Sequence, residues 1–249
     1  FVKNMKRWLL IGLWLVYWTG AKASPIGFDF WNHIGPGEGL SQNSVGSILQ
    51  DHRGLMWFGT QDGLNCYDGQ RMQVYRQIPF DSTSLSEDYI TALYEDSQQR
   101  LWVGTTNGLN CYQFSSGTFR RIPQLKTVIK AITEDKSHVL WVGTEAGWWT
   151  LKPNETILKS TKESPNDAKK QLSAKLTLLL PAQTMISALL TDRLGVVWAG
   201  THGQGIFRFR FDAASQEYVL LDTFEEDFFV KNGIKRSKIM CFYEGKEDN

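Results

Sequence analysis

The side chains that could support catalysis are few and form no recognised constellation. Glycoside hydrolysis needs two carboxylates about 5 to 10 Å apart in a cleft, whereas Glu225, Glu226 and Asp227 are consecutive, a run typical of a solvated face. The sequence contains no G-x-S-x-G elbow, H-E-x-x-H motif or phosphate-binding glycine loop. Its three cysteines include no C-x-x-C pair, and their odd, small number predicts no disulfide framework. The sequence therefore predicts no catalytic residue, metal or cofactor in this segment.

Binding is the chemistry that the sequence favours instead. Short T-x-x-G turns recur along the chain, and the side chains in or just after them differ from turn to turn. The candidate ligand contacts are Asp62, Asn107, Glu145, Trp149 and His202. Variable polar groups on a constant frame suit specific recognition, although ordinary solvated turns have a similar composition. Adjacent strand residues point to opposite faces, so of Trp148 and Trp149 we expect at most one in the core on a given face, and ligand contact or packing stays open for the other.

A fourfold repeat positions these turns. In each copy an Asp precedes a Trp by six residues, and the Trp opens the tetrapeptide Trp-x-Gly-Thr. The structural pairs are Asp51 and Trp57, Asp96 and Trp102, Asp135 and Trp141, and Asp192 and Trp198. Successive Trp residues are 45, 39 and 57 positions apart, close to the period of about 40 to 50 residues of a four-stranded propeller blade.

Each copy predicts a set of strands. The apolar stretch before the Asp is a first strand, the Asp accepts backbone N–H groups in the following turn, and the Trp lies on a returning strand, where its large side chain is buried between blades. The Gly after the Trp lets a facing strand approach closely. Gly63 and Gly108 begin third strands, whereas Met72–Tyr75 and Thr118–Arg121 form fourth strands.

The predicted fold class is therefore all-β, a β-propeller of four-stranded blades. Four blades are expected around residues 41–78, 86–122, 127–160 and 182–221, with a fifth starting near 237 because Ile239 to Gly245 aligns with Ile90 to Asp96. Residues 153–181 are interpreted as a loop excursion with a strand at 176–180, and residues 28–31 as an outer strand donated to a closing blade.

The first residues predict export. Met5 is the expected start, and Lys6-Arg7, an apolar run from Trp8 to Trp18 and the small residues Ala21 and Ala23 are typical of a secretory signal peptide over residues 1–23. A membrane anchor would need about 20 apolar residues. The mature region 24–249 has 23 basic and 26 acidic residues, a balance that argues against nucleic acid as a partner.

The repeat has a counterpart in a known family. The pattern V-x-x-I-x-x-D-x-x-G-x-x-W-x-G-T-x-x-G-L-N-x-Y-D-G, which Val45 to Gly69 matches, resembles the two-component regulator propeller repeat. Gln99 and His138 depart from it by replacing the turn Gly, and one residue is inserted between Thr201 and Gly205. These departures concern the local turns and not the repeat.

The resemblance implies the periplasmic sensor region of a hybrid two-component system of the Bacteroidetes type. Such a region binds an extracellular cue, here expected to be an oligosaccharide, and informs a cytoplasmic histidine kinase that these residues do not contain. The whole protein would be a homodimer anchored in the inner membrane by a C-terminal part. Two other functions stay open: a secreted propeller lyase or glycosidase, and a propeller that binds proteins only.

Overall fold

Fifteen β-strands and one short 3-10 helix (Pro36–Glu38) make up the described part of the chain. The computed structural model describes residues 33–151, 184–215, 217–224, 231 and 238–245. From Ile34 onward these residues belong to one compact unit. The expected signal peptide, the strands at 28–31 and 176–180, and the acidic run 225–227 lie outside the described residues.

The strands form four antiparallel sheets, which we call blades 1 to 4. Within each blade the strands pair in chain order. Blade 1 contains β1 (Val45–Gln50), β2 (Met56–Thr60), β3 (Gly63–Tyr67) and β4 (Met72–Tyr75); blade 2 contains β5 (Ile90–Glu95), β6 (Leu101–Thr105), β7 (Gly108–Gln113) and β8 (Thr118–Arg121); blade 3 contains β9 (Ile129–Glu134), β10 (Leu140–Thr144) and β11 (Gly147–Leu151); blade 4 contains β12 (Ile186–Thr191), β13 (Val197–Thr201), β14 (Ile206–Asp212) and β15 (Glu217–Phe224).

The first strands of successive blades are neighbours. β1 contacts β5, β5 contacts β9, and β9 contacts β12, so the blades are arranged around their first strands and the later strands lie progressively outward. This arrangement confirms the predicted all-β propeller; blades 1, 2 and 4 have the predicted four strands, and blade 3 has three among the described residues. Beyond blade 4, an antiparallel bridge joins His202 to Lys238.

The repeat glycines lie where neighbouring blades approach closely. A Cβ atom placed on Gly59 would lie 2.6 Å from Ile90 Cγ2, and one on Gly104 would lie 2.7 Å from Ile129 Cγ2. The same relation joins Gly143 to Ile186 and Gly200 to Ile239. Each glycine therefore admits the first Ile of the next repeat, as predicted, and Ile239 occupies the position that its alignment with Ile90 predicts.

The repeat tryptophans fill the spaces between blades. Trp57, Trp102 and Trp141 are at most 1% exposed. The rings of Trp57 and Tyr112, from blades 1 and 2, are 5.2 Å apart between centroids. Trp198 is only half-buried, although it contacts Phe242 at 6.3 Å between centroids. The predicted burial is thus confirmed for three of these residues and only in part for Trp198.

Glutamate side chains also join the blades. At three junctions, the residue that follows the repeat Asp donates its backbone N–H to a glutamate of the next repeat. This glutamate stands directly before the repeat Asp of its own repeat, or before the residue that aligns with that Asp. The pairs are His52 to Glu95 at 2.8 Å, Ser97 to Glu134 at 2.7 Å, and Arg193 to Glu244 at 3.1 Å. At the junction of blades 3 and 4, Thr191 occupies the glutamate position, and Lys136 Nζ instead donates to the Arg193 carbonyl at 2.5 Å.

Candidate functional site

The turn between the first and second strands of each blade is built on the repeat Asp. Asp96 Oδ1 accepts the backbone N–H groups of Gln98 and Arg100 at 3.0 and 2.9 Å. Its Oδ2 accepts the indole N–H of Trp102 at 2.7 Å. Equivalent indole bonds of 2.8 to 3.0 Å occur in the other three blades. The backbone bonds confirm the prediction for these Asp residues, whereas the Asp–Trp bond was not foreseen.

A second donor reaches the same carboxylate oxygen in three of the blades. The Arg53 guanidinium donates to Asp51 at 2.9 Å, and the Arg100 guanidinium donates to Asp96 at 2.6 Å. In blade 3 the donor is the Tyr218 hydroxyl, which bonds Asp135. These carboxylates are therefore fully engaged in holding the frame, and we assign them a structural role.

The departures from the repeat keep its turn geometry. Gly54 and Gly195 have positive φ angles of 85° and 84°, and Gln99 and His138 adopt φ angles of 61° and 58° at the equivalent positions. Residues with a Cβ rarely adopt this left-handed conformation. The hydrogen bonds of the repeat Asp thus impose the turn even where Gly is replaced.

The turns between second and third strands are held by their Thr residues. In blade 2, Thr105 Oγ1 accepts the Asn107 N–H at 3.1 Å and donates to the Gly108 carbonyl at 3.0 Å. Blades 1 and 3 repeat both bonds, and blade 4 accommodates its inserted residue by bonding Thr201 Oγ1 to the Gly205 carbonyl at 2.8 Å. The framework is therefore constant while the exposed side chains vary.

These turns lie at the same end as the connections between blades. The Gly63 N–H donates to the Asp88 carbonyl at 2.9 Å, and the Thr106 N–H donates to the Tyr89 carbonyl at 3.1 Å. The His202 N–H likewise donates to Met185 at 3.1 Å. We call this end, formed by the T-x-x-G turns and the connections that lead into first strands, the turn face.

Two of the predicted contacts on the turn face form ion pairs. Asp62 Oδ2 lies 2.9 Å from Arg76 Nη2, and each side chain is 48% exposed. Hydrogen bonding to Asp62 raises the pKa of Arg76. Glu145 Oε1 lies 2.8 Å from Lys130 Nζ, with side chains 42% and 32% exposed. Each pair offers a donor and an acceptor to solvent and hence to a ligand.

The other three predicted contacts differ in accessibility. Asn107 and His202 are exposed, whereas Trp149 is half-buried and packs against the apolar core shared by blades 2 and 3. Its neighbour Trp148 is 7% exposed and lies 4.5 Å from Phe209 between ring centroids. The two Trp side chains thus both pack, towards opposite sides of the blade.

No hydrogen bond or ion pair joins any two of the five predicted residues; the turn face places them on separate blades instead. Sequence reasoning missed Arg76 and Lys130, which complete the ion pairs, and Tyr89, whose hydroxyl lies 3.5 Å from Gln61 Nε2. The position of Arg76 directly after a fourth strand could have placed it on the turn face. Only the fold shows that it pairs with Asp62. Within the described ranges, no three His, Cys, Asp or Glu side chains converge to hold a metal ion.

Comparison with known proteins identifies the repeat. The family model described as two component regulator propeller matches residues 39–62 and 84–107, the first-strand, Asp-turn and second-strand portions of blades 1 and 2. These two segments of the chain are therefore similar to the two-component regulator propeller repeat. Histidine kinase P4 of Formosa agariphila is 54% identical over 50 residues, which are 20% of this chain and 4% of that protein.

Solved structures with the same fold include two extracellular domains from B. thetaiotaomicron. The domain of the hybrid two component system BT3049 is 24% identical with a TM-score of 0.58, and the match covers 77% of this chain and 26% of that chain. The domain of BT4673 is 20% identical with a TM-score of 0.54, covering 72% and 25%. The chain thus spans about a quarter of the length of these domains. No helix among the described residues is long and apolar enough to cross a membrane.

Proposed function

We propose that this chain is part of the periplasmic sensor region of a hybrid two-component system and binds an oligosaccharide through the turn face. The regulator propeller repeats and the likeness to extracellular domains of two-component systems support the sensor assignment. The observation that carries the binding face is the contrast between its fixed frame and its variable side chains. The Thr hydroxyl bonds recur in every blade, whereas the exposed side chains include two carboxylates (Asp62 and Glu145), an amide (Asn107) and an imidazole (His202).

Recognition without turnover is the chemistry that these groups favour. The two acidic contacts, Asp62 and Glu145, lie on different blades and are each paired with a cation. A glycosidase instead places two carboxylates about 5 to 10 Å apart, one of them protonated to act as an acid. Each ion pair instead presents an acceptor and a donor to sugar hydroxyls, which suits binding.

Signalling follows from binding if one arrangement of the sensor holds the ligand more tightly than another. A ligand shifts a conformational equilibrium only by its difference in affinity for the two states. In a homodimer anchored in the inner membrane, that shift would pass through the membrane to the histidine kinase of the whole protein. The glutamate bonds between blades would let a displacement of one blade reach the next.

Calorimetry with a panel of polysaccharide-derived oligosaccharides tests the proposal. Replacing Asp62, Asn107, Glu145, Trp149 or His202 individually by Ala should weaken binding by about 1 to 3 kcal/mol where a ligand hydrogen bond is lost. Gln98→Ala is the matched control, because Gln98 is exposed on the opposite end of blade 2. Binding that none of the five substitutions affects would show that another surface is used. Release of a shorter sugar would support the enzyme alternative.

A further inference from the structure

The connection between blades 1 and 2 contains an aromatic residue in an unfavourable backbone conformation. Ile78, Pro79, Phe80 and Asp81 form a turn in which the Asp81 N–H donates to the Ile78 carbonyl at 3.1 Å. Phe80 has a φ of 67°. It is the third residue of a turn with Pro at the second position, where a positive φ usually requires Gly or Asn. A bulky side chain in this region is an outlier that invites a functional explanation.

No contact of the Phe80 side chain with another described residue offsets this conformation. It is fully exposed, with a relative accessibility of 109%, and Ile78 beside it is 56% exposed. Among the described residues, the Phe80 ring makes no aromatic contact. Gln99 and His138, which share the left-handed conformation, differ because the bonds of a repeat Asp require it there. No such bond accounts for Phe80.

The turn that carries Phe80 is nevertheless firmly held. Arg121 Nη2 donates to the carbonyls of Asp81 and Leu85 at 2.7 and 2.8 Å, and its Nε donates to the Ser84 carbonyl at 3.0 Å. Leu85 is wholly buried in the core shared by blades 1 and 2. The turn that carries the Phe80 ring is therefore held in place by hydrogen bonds, which reduces the conformational entropy lost on ligand binding.

Polar groups accompany the ring on the turn face. Arg76, bonded to Asp62, lies four residues before Phe80, a chain length of at most about 14 Å. The Gln77 N–H donates to Asp88 Oδ1 at 2.5 Å, which brings the start of the connection beside its end. Tyr89 follows directly and is 43% exposed. An exposed aromatic ring and hydrogen-bonding groups in the same connection suit a sugar ring, which has apolar C–H faces and hydroxyl groups around its edge.

Charge restricts the class of sugar. Residues 76–89, together with Asp62 and Arg121, contribute the carboxylates of Asp62, Asp81, Glu87 and Asp88 against the guanidiniums of Arg76 and Arg121. This net charge of −2 repels uronates and sulfated sugars. Resting on the proposed function, we infer that Phe80 is the aromatic contact of the turn face, that it stacks on a ring of a neutral oligosaccharide, and that Asp62 and Arg76 bind the hydroxyls of that ligand.

Replacement of Phe80 by Gly tests both the strain of the turn and the contact with the ligand. Phe80→Gly removes the strain and the ring together, so it should raise the urea midpoint of unfolding while weakening binding of a neutral oligosaccharide by about tenfold or more. Gln99→Gly is the matched control, which should raise the midpoint and leave binding unchanged. Phe80→Tyr should retain binding.

The outcomes distinguish this inference from the proposed function. If the wild type binds a neutral oligosaccharide and Phe80→Gly binds it equally well, the inference is wrong while the proposed function stands. If uronate or sulfated oligosaccharides bind as tightly as neutral ones, the charge argument is wrong. If the wild type binds no oligosaccharide in the panel, the proposed function fails, and the inference fails with it.

Discussion

The carboxylate of Glu134 accepts the backbone N–H of Ser97 at 2.7 Å and the Ser97 hydroxyl at 2.9 Å, which joins the first strand of blade 3 to the turn of blade 2. The Glu134 side chain is only 6% exposed. Hydrogen bonds to a charged acceptor in such a setting are stronger than neutral ones. The bond therefore stabilises the junction between two blades that share no β-ladder.

Glu134→Ala should lower the free energy of unfolding by about 1 to 3 kcal/mol, because it removes the acceptor of the Ser97 backbone N–H. Urea denaturation measures the change. Glu145→Ala, which removes an exposed carboxylate, is the matched control and should change stability by less than about 0.5 kcal/mol. Equal stability of the two variants would contradict a role for the glutamate bonds between blades.

The two classes of repeat Trp should respond differently to truncation. Trp102 is wholly buried, so Trp102→Ala should cost about 3 to 5 kcal/mol of stability. Trp198 is half-buried, and Trp198→Ala should cost clearly less because less apolar area is lost from the core. Chemical denaturation of both variants decides this. A larger loss at Trp198 would show that its surroundings are more completely packed than the described residues indicate.

Acid should weaken the frame through Asp51. Burial raises the pKa of Asp51, but hydrogen bonds from the Trp57 indole, the Arg53 guanidinium and two backbone N–H groups lower it, and the net pKa is below its ordinary value of 3.8. A folded-state pKa below the unfolded one stabilises the fold above the unfolded pKa, and this contribution is lost as the pH falls through the folded pKa.

Asp51→Asn measures this contribution. The stability difference between wild type and variant should be constant above about pH 5 and should shrink as the pH falls below about 4, because protonation removes the charge from the wild-type carboxyl. Urea titrations across this range provide the comparison. A difference that stays constant down to about pH 3 would argue that the charge of Asp51 contributes nothing.

The fourfold repeat made the strands and turns of the frame predictable, because a spacing that recurs within one sequence marks equivalent structural positions. The Asp bonds to backbone N–H groups, the close approach of the next blade at the repeat Gly residues and the fourth strand Met72–Tyr75 all appear in the structure. The glutamate bonds between blades were not predicted, although Glu95 and Glu134 each stand just before a repeat Asp. Their partners lie one repeat away, and only the packing of blades reveals them.

The candidate site was less predictable than the frame. The turn positions of Asp62 and Glu145 follow from the repeat, but their partners Arg76 and Lys130 come from a connection and a first strand. Phe80 carries no sequence signal, because Ile-Pro-Phe-Asp does not indicate a left-handed aromatic residue. Trp149 was selected by its type, yet much of its surface is committed to the core between blades 2 and 3.

The thiols should remain unpaired and react unequally. All three cysteines are free in the structure, and Cys241 is exposed. Burial raises the pKa of Cys66 to about 11, and burial also raises the pKa of Cys111, so both contain little reactive thiolate near neutral pH. An aromatic disulfide reagent should modify Cys241 quickly in the folded protein and all three thiols in denaturant without reductant. Recovery of fewer than three thiols in denaturant would reveal a disulfide.

The most direct test of the sensor assignment is calorimetric titration of the protein with neutral oligosaccharides, followed by analysis of the recovered sugar. The account predicts saturable binding with the oligosaccharide recovered at its original length. Shortened sugar in the recovered ligand would contradict the account by showing turnover. The absence of binding across the panel would also contradict it, because the turn face would then not recognise this class of ligand.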